Sequence, residues 1–235
     1  MKIEERERVC LNLIRKFPSE YILVGGYAVS AYEFPRFSVN LDVLIRDKDL
    51  KEFSDMLNKE GFYLLKEAGE FARVYEGKFL RFEKRVNSLP VSVDLLVNMI
   101  QSRQTGAAYS FDYVWRNSEI RRITGFGTRD WVDARVADRE MLMALKINSM
   151  RLADQRDIIA LCSGDVNTAK ITAHLKRAPK KKILSHIKKL KDFIQNPKNR
   201  DSLKGVFVLS DAVLDSLLKK TEYVLEEIHK GLAGD

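Results

Sequence analysis

Residues 21–46, which decide the fold, have the sequence YILVGGYAVSAYEFPRFSVNLDVLIR. The apolar start, Tyr21–Val24, predicts a strand that ends at Gly25 and Gly26. Glycine has no Cβ, so the backbone here can approach a ligand closely. The later run, Phe37–Ile45, is again mostly apolar and predicts a second strand. A strand, a glycine turn, a short helical segment and a second strand together predict an α/β fold.

Two polar side chains interrupt this second strand. Asn40 and Asp42 alternate with apolar neighbours, so both project from one face. A carboxylate in such an apolar run is costly to bury without a partner, and a bound cation would be a suitable one. The alternative is an ordinary βαβ start in which Asp42 lies at a strand end. Downstream, Pro90–Val97 is another apolar strand with a single acid, Asp94, and the same two interpretations apply to it.

These residues resemble the signature of the polymerase-β-type nucleotidyltransferase superfamily. That signature is a glycine pair after a strand, an Asp-x-Asp pair on the next strand and a third carboxylate on a later strand. The sequence departs from it once, because Asn40 stands where the family has the first Asp. The likeness is greatest to AbiEii-like abortive-infection toxins. It implies a mixed sheet with flanking helices over residues 1–136 and a helical domain over residues 137–235.

The resemblance also implies an activity. It is the metal-dependent transfer of a nucleoside monophosphate from a nucleoside triphosphate to tRNA, a protein side chain or a small molecule. The implied cofactor is Mg²⁺ or Mn²⁺, held by Asn40, Asp42 and Asp94. The implied catalytic residues are these three and Lys146. The implied nucleotide-binding residues are Gly25, Gly26, Arg36, Ser38, Lys146 and Asp157.

Lys146 lies in MLMALKINSM, an apolar segment with helical spacing. Together with Arg151, Asp154 and Asp157 it resembles the lysine, basic residue and D-x-x-D-like segment that follow the catalytic domain in the toxin-like families. The alternative is a lysine whose stem packs on apolar surface while its charge reaches water. In that alternative Arg151 and Asp154, three residues apart on one helix, form a structural ion pair.

Asn40 leaves the activity open, because an amide offers a metal only a neutral oxygen. The protein is then a degenerate member that binds nucleotides without turnover, an enzyme that works with one firmly held metal, or a silenced form of an active enzyme. A catalytically dead nucleotide- or RNA-binding module is therefore the alternative function. A purely structural α/β protein is a third.

Composition restricts partners and location. Among 235 residues the net charge is +8, which favours a polyanionic partner such as a nucleotide or nucleic acid. The segment Lys176–Lys191 contains eight Lys or Arg residues and no acid, and it predicts either a tRNA-binding stripe or a solvated helix face. We expect no membrane segment and a cytoplasmic location, because no apolar run is long enough and only Cys10 and Cys162 are present. A cognate antitoxin is a further partner that the resemblance implies.

The remaining pattern is less specific. It predicts a short strand over Phe71–Glu76, a loop or broken helix within residues 98–130, and a single helix over residues 201–230.

Overall fold

The computed structural model describes residues 2–32, 37–38, 40–68, 77–207 and 210–234. Within them the chain forms two compact units. The first comprises Met1–Ala31, Pro35–Ile100 and Tyr109–Ala137, and the second comprises Tyr32–Phe34, Gln101–Ala108 and Asp138–Asp235. The mixed α/β architecture with a C-terminal helical region confirms the predicted fold class.

The first unit is built on a mixed sheet. Its strands are β1 Ile22–Leu23, β2 Asn40–Ile45, β3 Tyr63–Ala68, β4 Lys78–Val86, β5 Leu89–Val97, β8 Ser118–Thr124 and β9 Trp131–Ala137. Their order across the sheet is β3-β4-β5-β2-β1-β9-β8. Strand β2 runs parallel to β5 and β1 runs parallel to β9, whereas the other neighbours are antiparallel. Two short strands, β6 Met99–Gln101 and β7 Ala108–Ser110, pair with each other separately.

The central strands have one apolar and one polar face, because successive side chains of a strand point to opposite sides. On the apolar face the fully buried side chains of β2 and β5 include Leu41, Val43, Val93 and Leu95. Burying each such side chain stabilises the fold by about 1.5–3 kcal/mol. On the other face the two strands present Asn40, Asp42, Ser92 and Asp94. The hydrophobic burial of one face therefore fixes which side chains the other face presents.

A two-residue turn joins β4 to β5. Val86 pairs with Leu89, and the residues between them, Asn87 and Ser88, have φ values of 51° and 65°. Positive φ at both central positions is typical of the type I′ turn, whose twist matches that of the flanking strands. This turn sets the register of every pair between β4 and β5.

Within the described residues, the α-helices of the first unit are α1 Lys2–Ile14, α2 Gly26–Ser30, α3 Leu50–Lys59 and α4 Phe111–Arg116. The short helical segment predicted between the first two strands is present as α2, and residues 33–36 lie outside the described part. The predicted strand Phe71–Glu76 also lies outside it.

Residues 98–130 are more regular than the predicted loop or broken helix. They form the β6–β7 hairpin, α4 and β8. The sequence of β8, SEIRRIT, is polar because β8 is an edge strand with one covered face, and its core residue Ile123 is fully buried.

The second unit is helical in its C-terminal part. Its helices are α5 Arg139–Ser149, α6 Leu152–Leu161, α7 Thr168–Leu175, α8 Lys180–Gln195, α9 Lys198–Phe207 and α10 Asp211–Ala233. Helix α5 contacts α6, α7 and α8, and α10 contacts the same three. The single helix predicted over residues 201–230 was wrong. A new helix begins after Ser210, whose hydroxyl caps α10 by accepting from the Val213 N–H.

We expect Glu7→Gln to destabilise the first unit. The Glu7 carboxylate is buried and accepts hydrogen bonds from the backbone N–H groups of Phe126 at 2.9 Å and Gly127 at 2.7 Å. An amide in its place turns a donor toward one of these donors, and a buried group left unsatisfied costs about 1–3 kcal/mol. Urea unfolding should show this loss, whereas Glu52→Gln, at an exposed position of α3, should change stability little. Equal stability of the two variants would contradict the assignment.

Candidate functional site

The polar face of the sheet brings together residues from three adjacent strands. Across the parallel pair β2–β5, Asp42 lies opposite Asp94 and Asn40 lies opposite Ser92. Across the antiparallel pair β4–β5, Arg81 lies opposite Asp94. Arg81, Asp94 and Asp42 therefore form one row across the sheet, with strands about 4.8 Å apart. We call this row, together with Asn40, the carboxylate face.

Asn40 bridges the two carboxylates as a hydrogen-bond donor. Its Nδ2 lies 3.1 Å from Asp42 Oδ1 and 3.4 Å from Asp94 Oδ2. Its Oδ1 accepts a hydrogen bond of 2.8 Å from the Ser92 hydroxyl. The hydroxyl on one side and the carboxylates on the other orient the amide, so its N–H groups face the negative charges. A carboxylate at position 40 could not make these contacts, because an ionised carboxylate only accepts.

Arg81 neutralises Asp94. Its Nε lies 2.6 Å from Asp94 Oδ1 and its Nη2 lies 2.6 Å from Oδ2, which is the two-point geometry of a strong guanidinium–carboxylate pair. Hydrogen bonding to Asp94 raises the pKa of the Arg81 guanidinium above its ordinary value. Sequence reasoning missed Arg81, because its opposite position on β5 depends on the strand register.

Gly25 lies directly against Asp42. A Cβ added at Gly25 would lie 1.7 Å from Asp42 Oδ2, far inside van der Waals contact. The neighbouring Val24 N–H donates to the backbone oxygen of Asp42 at 3.0 Å, which holds the two segments together. Glycine is required here for close approach of the Asp42 side chain to the backbone. The predicted glycine pair therefore lies at the rim of the carboxylate face, with Gly26 as the first residue of α2.

Two other predicted nucleotide-binding residues come from the segment before β2. Arg36 lies outside the described residues. The Ser38 hydroxyl donates to the backbone oxygen of Asn40 at 3.2 Å, and the Ser38 backbone oxygen accepts from the Tyr27 hydroxyl at 2.8 Å. These two contacts hold the start of β2 in place. Ser38 therefore lies next to Asn40, at the edge of the carboxylate face.

Lys146 belongs to a buried ion cluster within the helical unit. Its side chain is 8% exposed, and its Nζ lies 3.2 Å from Asp154 Oδ1 and 2.8 Å from Asp157 Oδ2. Asp154 also accepts from the backbone N–H of Arg151 and from its guanidinium, each at 2.9 Å. The predicted Arg151–Asp154 ion pair is therefore present. Both aspartates are fully buried, so removing any one member would leave a buried charge uncompensated.

The charges around Asp154 change its pKa. Burial by itself would raise the pKa of this carboxyl, but the Lys146 ammonium and the Arg151 guanidinium outweigh burial and lower the pKa below its ordinary value of 3.8. The carboxyl is therefore ionised over the whole neutral range. A nucleotide-binding role for Lys146 and Asp157 stays a prediction.

The basic segment Lys176–Lys191 comprises the residues just before α8 and most of α8 itself. Several of its lysines form hydrogen bonds or ion pairs with other residues of the helical unit. Lys182 donates to the backbone oxygen of Gln104 at 2.9 Å, and Lys189 donates to that of Met150 at 3.1 Å. Lys188 pairs with Asp192 on the same helix at 2.8 Å. Lys180 and Lys181 are exposed at the start of the helix. The stripe is thus partly structural, and its nucleic-acid role stays a prediction.

The described residues contain neither a cluster of metal ligands nor a helix that could span a membrane. Within the described part of the chain, no three His, Cys, Asp or Glu side chains form a group that could hold a metal ion. Among the same residues, every helix is too short or too polar to cross a membrane.

Comparison with known proteins finds similar chains among the solved structures. No family model matches the sequence, and no curated protein matches it. A crystal structure described as a "putative nucleotidyltransferase from H. pylori" aligns over 98% of this chain and 95% of that chain, with a TM-score of 0.45 and 16% sequence identity. A TM-score and a sequence identity this low assign no activity to this chain.

We expect Gly25→Ala to displace the Asp42 carboxylate and to destabilise the fold. The new methyl group would overlap Asp42 Oδ2, and overpacking of this kind costs about 1–3 kcal/mol. The matched control is Gly205→Ala in α9, where a Cβ has no heavy atom within 4 Å. That control should be neutral or stabilising by up to about 1 kcal/mol, because alanine is the better helix former. Chemical unfolding of both variants measures the contrast, and similar effects would count against close packing of Gly25.

We expect Asp154→Asn to reduce the loss of folding stability that accompanies a fall in pH. Because the folded-state pKa is lowered, Asp154 contributes stability above about pH 4, and this contribution is lost as the pH falls through the folded value. The variant should lose about 1–3 kcal/mol near neutral pH and proportionately less in acid. Urea unfolding over a pH series tests this. Asp192→Asn removes an exposed pair with Lys188 and should leave the profile unchanged.

Proposed function

We propose that the chain binds a nucleoside triphosphate at the carboxylate face and that its reaction class is nucleotidyl transfer. The observation that carries the proposal is the parallel register of β2 and β5, which places Asp42 directly opposite Asp94. Gly25, packed on Asp42, leaves the backbone free of side-chain bulk at the same place. These are the residues on which the sequence resemblance depends, and their proximity in space supports it.

In the proposed reaction an acceptor oxygen bonds to the α-phosphorus, and the bond to the bridging oxygen of the leaving pyrophosphate breaks. The acceptor hydroxyl loses a proton to a carboxylate. Asp42 suits this role better than Asp94, because both oxygens of Asp94 already accept hydrogen bonds from Arg81. Arg81, whose side chain is 41% exposed, can offer positive charge to a phosphate at this face.

The residues as arranged do not fit the divalent metal ion that the family uses. Both oxygens of Asp94 are bound by Arg81, and the amide group of Asn40 presents donors, not oxygen, to the carboxylates. Mg²⁺ and Mn²⁺ need oxygen ligands. Mg²⁺ as the cofactor is therefore an expectation for a form with a carboxylate at position 40, and we assign no step in this chain to a metal ion.

A second candidate function is nucleotide binding without transfer. It is favoured by the way Asn40 satisfies both carboxylates and Ser92 at once, because this network is complete without any ligand. A site with a guanidinium beside one carboxylate and a neutral amide at the third position binds metal weakly, and transfer in this family depends on metal charge. The domain would then present a nucleotide, or RNA, to another protein.

For the acceptor and the partners of the reaction we propose classes of molecule and not single compounds. tRNA is a candidate acceptor because the chain is basic, and the exposed Lys180 and Lys181 are the cations of the α8 stripe placed to contact phosphates. A protein side chain and a small molecule are the other acceptor classes. A toxin-type role with a cognate antitoxin is part of the proposal only through the sequence resemblance.

We expect Asn40→Asp to convert the carboxylate face into a metal site. Without metal, the third carboxylate loses the donor contacts of Asn40 and repels Asp42 and Asp94, so the variant should be less stable by about 1–3 kcal/mol. With Mg²⁺ and a nucleoside triphosphate it should regain stability, because a ligand that binds only the folded state stabilises it. Thermal unfolding measures both effects. Asn58→Asp, at an exposed position of α3, is the matched control and should show neither.

Label transfer separates the two candidate functions. An α-labelled nucleoside triphosphate is incubated with tRNA or protein and with each form of the chain. We expect transfer by the Asn40→Asp variant at well above the rate of the parent chain, and no transfer after Asp42→Asn in the same background. Nucleotide binding by the parent without transfer supports the second candidate. Absence of both nucleotide-dependent stabilisation and transfer in every form would end the nucleotidyltransferase proposal.

A further inference from the structure

Arg81 occupies the position that a bound cation would take beside Asp94. The Asp94 side chain is 6% exposed, and both of its oxygens face the guanidinium at 2.6 Å. The contact is fixed by backbone pairing, because Arg81 and Asp94 are direct partners in the β4–β5 register. Two carboxylates on adjacent strands repel each other, and the guanidinium offsets part of this repulsion.

We propose that Arg81 is a built-in cation of the carboxylate face and that, while position 40 carries a neutral amide, it keeps divalent cations from binding between Asp42 and Asp94. The proposal concerns the same face as the proposed function but requires no nucleotide. It assigns to Arg81 the control of whether this face takes a metal ion. Withdrawing the guanidinium would expose a pair of facing carboxylates, which are the oxygen ligands that Mg²⁺ and Mn²⁺ prefer.

The surroundings of Arg81 allow such a withdrawal. Its side chain is 41% exposed, so solvent reaches it although Asp94 is buried. Glu83, two residues along β4, points to the same face and contributes to the charge around Arg81. Glu83 also accepts from the Tyr63 hydroxyl at 3.2 Å, which holds it near the strand. An alternative anionic partner for the guanidinium is therefore adjacent to the first.

The test is divalent-ion binding by the Arg81→Gln variant. Mn²⁺ alone is titrated in metal-free buffer without nucleotide, and bound Mn²⁺ is measured by electron paramagnetic resonance. Removing a positive charge a few ångströms from the ion should raise the affinity by roughly tenfold or more relative to the parent chain. Adding Asp42→Asn to this variant should abolish the gain, because only one of the two facing carboxylates then remains.

The chain provides a matched control. Arg122 and Asp133 are also direct antiparallel partners, on β8 and β9, with Nε 3.2 Å from Oδ1. Asp133 is 49% exposed, whereas Asp94 is 6% exposed, so solvent screens the charge of Asp133 much more strongly. Arg122→Gln should therefore leave Mn²⁺ binding as in the parent. Arg81→Lys keeps one positive charge beside Asp94 and should bind Mn²⁺ less tightly than Arg81→Gln.

Two results would overturn the proposal. One is tight Mn²⁺ binding by the parent chain with Arg81 in place, a measurement that needs no variant to fold. The other is an unchanged affinity in Arg81→Gln with a native circular dichroism spectrum. Because Mn²⁺ is the only ligand used, a failure of nucleotides to bind would end the proposed function and leave this measurement unaffected.

Discussion

The first unit depends on how two like charges are kept side by side on a sheet. Hydrophobic burial of one face of β2 and β5 forces Asp42 and Asp94 onto the other face, and parallel pairing places them opposite each other. The repulsion between them must be compensated locally. Arg81 compensates it by charge and Asn40 by two donor contacts, while Gly25 makes room for the Asp42 carboxylate. The polar part of the sheet is organised around this single constraint.

The helical unit also has to compensate the repulsion between two neighbouring acids, and there the cation lies between them. There one cation, Lys146, lies between two buried aspartates of α6, and Arg151 completes the balance from the helix N-terminus. In both units a pair of acids is stabilised by basic side chains of the same unit. Such clusters favour one packing arrangement over others, because a different packing would leave a buried charge without an opposite charge beside it.

Sequence periodicity was sufficient for part of the carboxylate face. Alternation within a strand placed Asn40 and Asp42 on one side, and the lone acid of the later strand identified Asp94 as a candidate neighbour. Arg81 could not be predicted, because a residue's partner on the next strand depends on a register that spacing along one strand does not contain.

The helical unit shows the same limit. Lys146, Asp154 and Asp157 were singled out by resemblance, but their mutual contacts and complete burial are tertiary properties. The break between α9 and α10 was missed for a related reason, since Ser210 ends a continuous apolar pattern only by its capping geometry. The edge strand β8 was missed because one of its faces is polar and exposed.

The two-residue turn at Asn87 and Ser88 has a consequence for how this chain can change during evolution. The partner of Asp94 is decided at that distant hairpin tip, because the turn length sets the β4–β5 register. Inserting or deleting one residue there would bring Leu80 or Phe82 opposite Asp94 and remove the charge partner without altering any polar residue. Loop tips usually tolerate length variation, but a change of length at this one would also change the charge partner of Asp94.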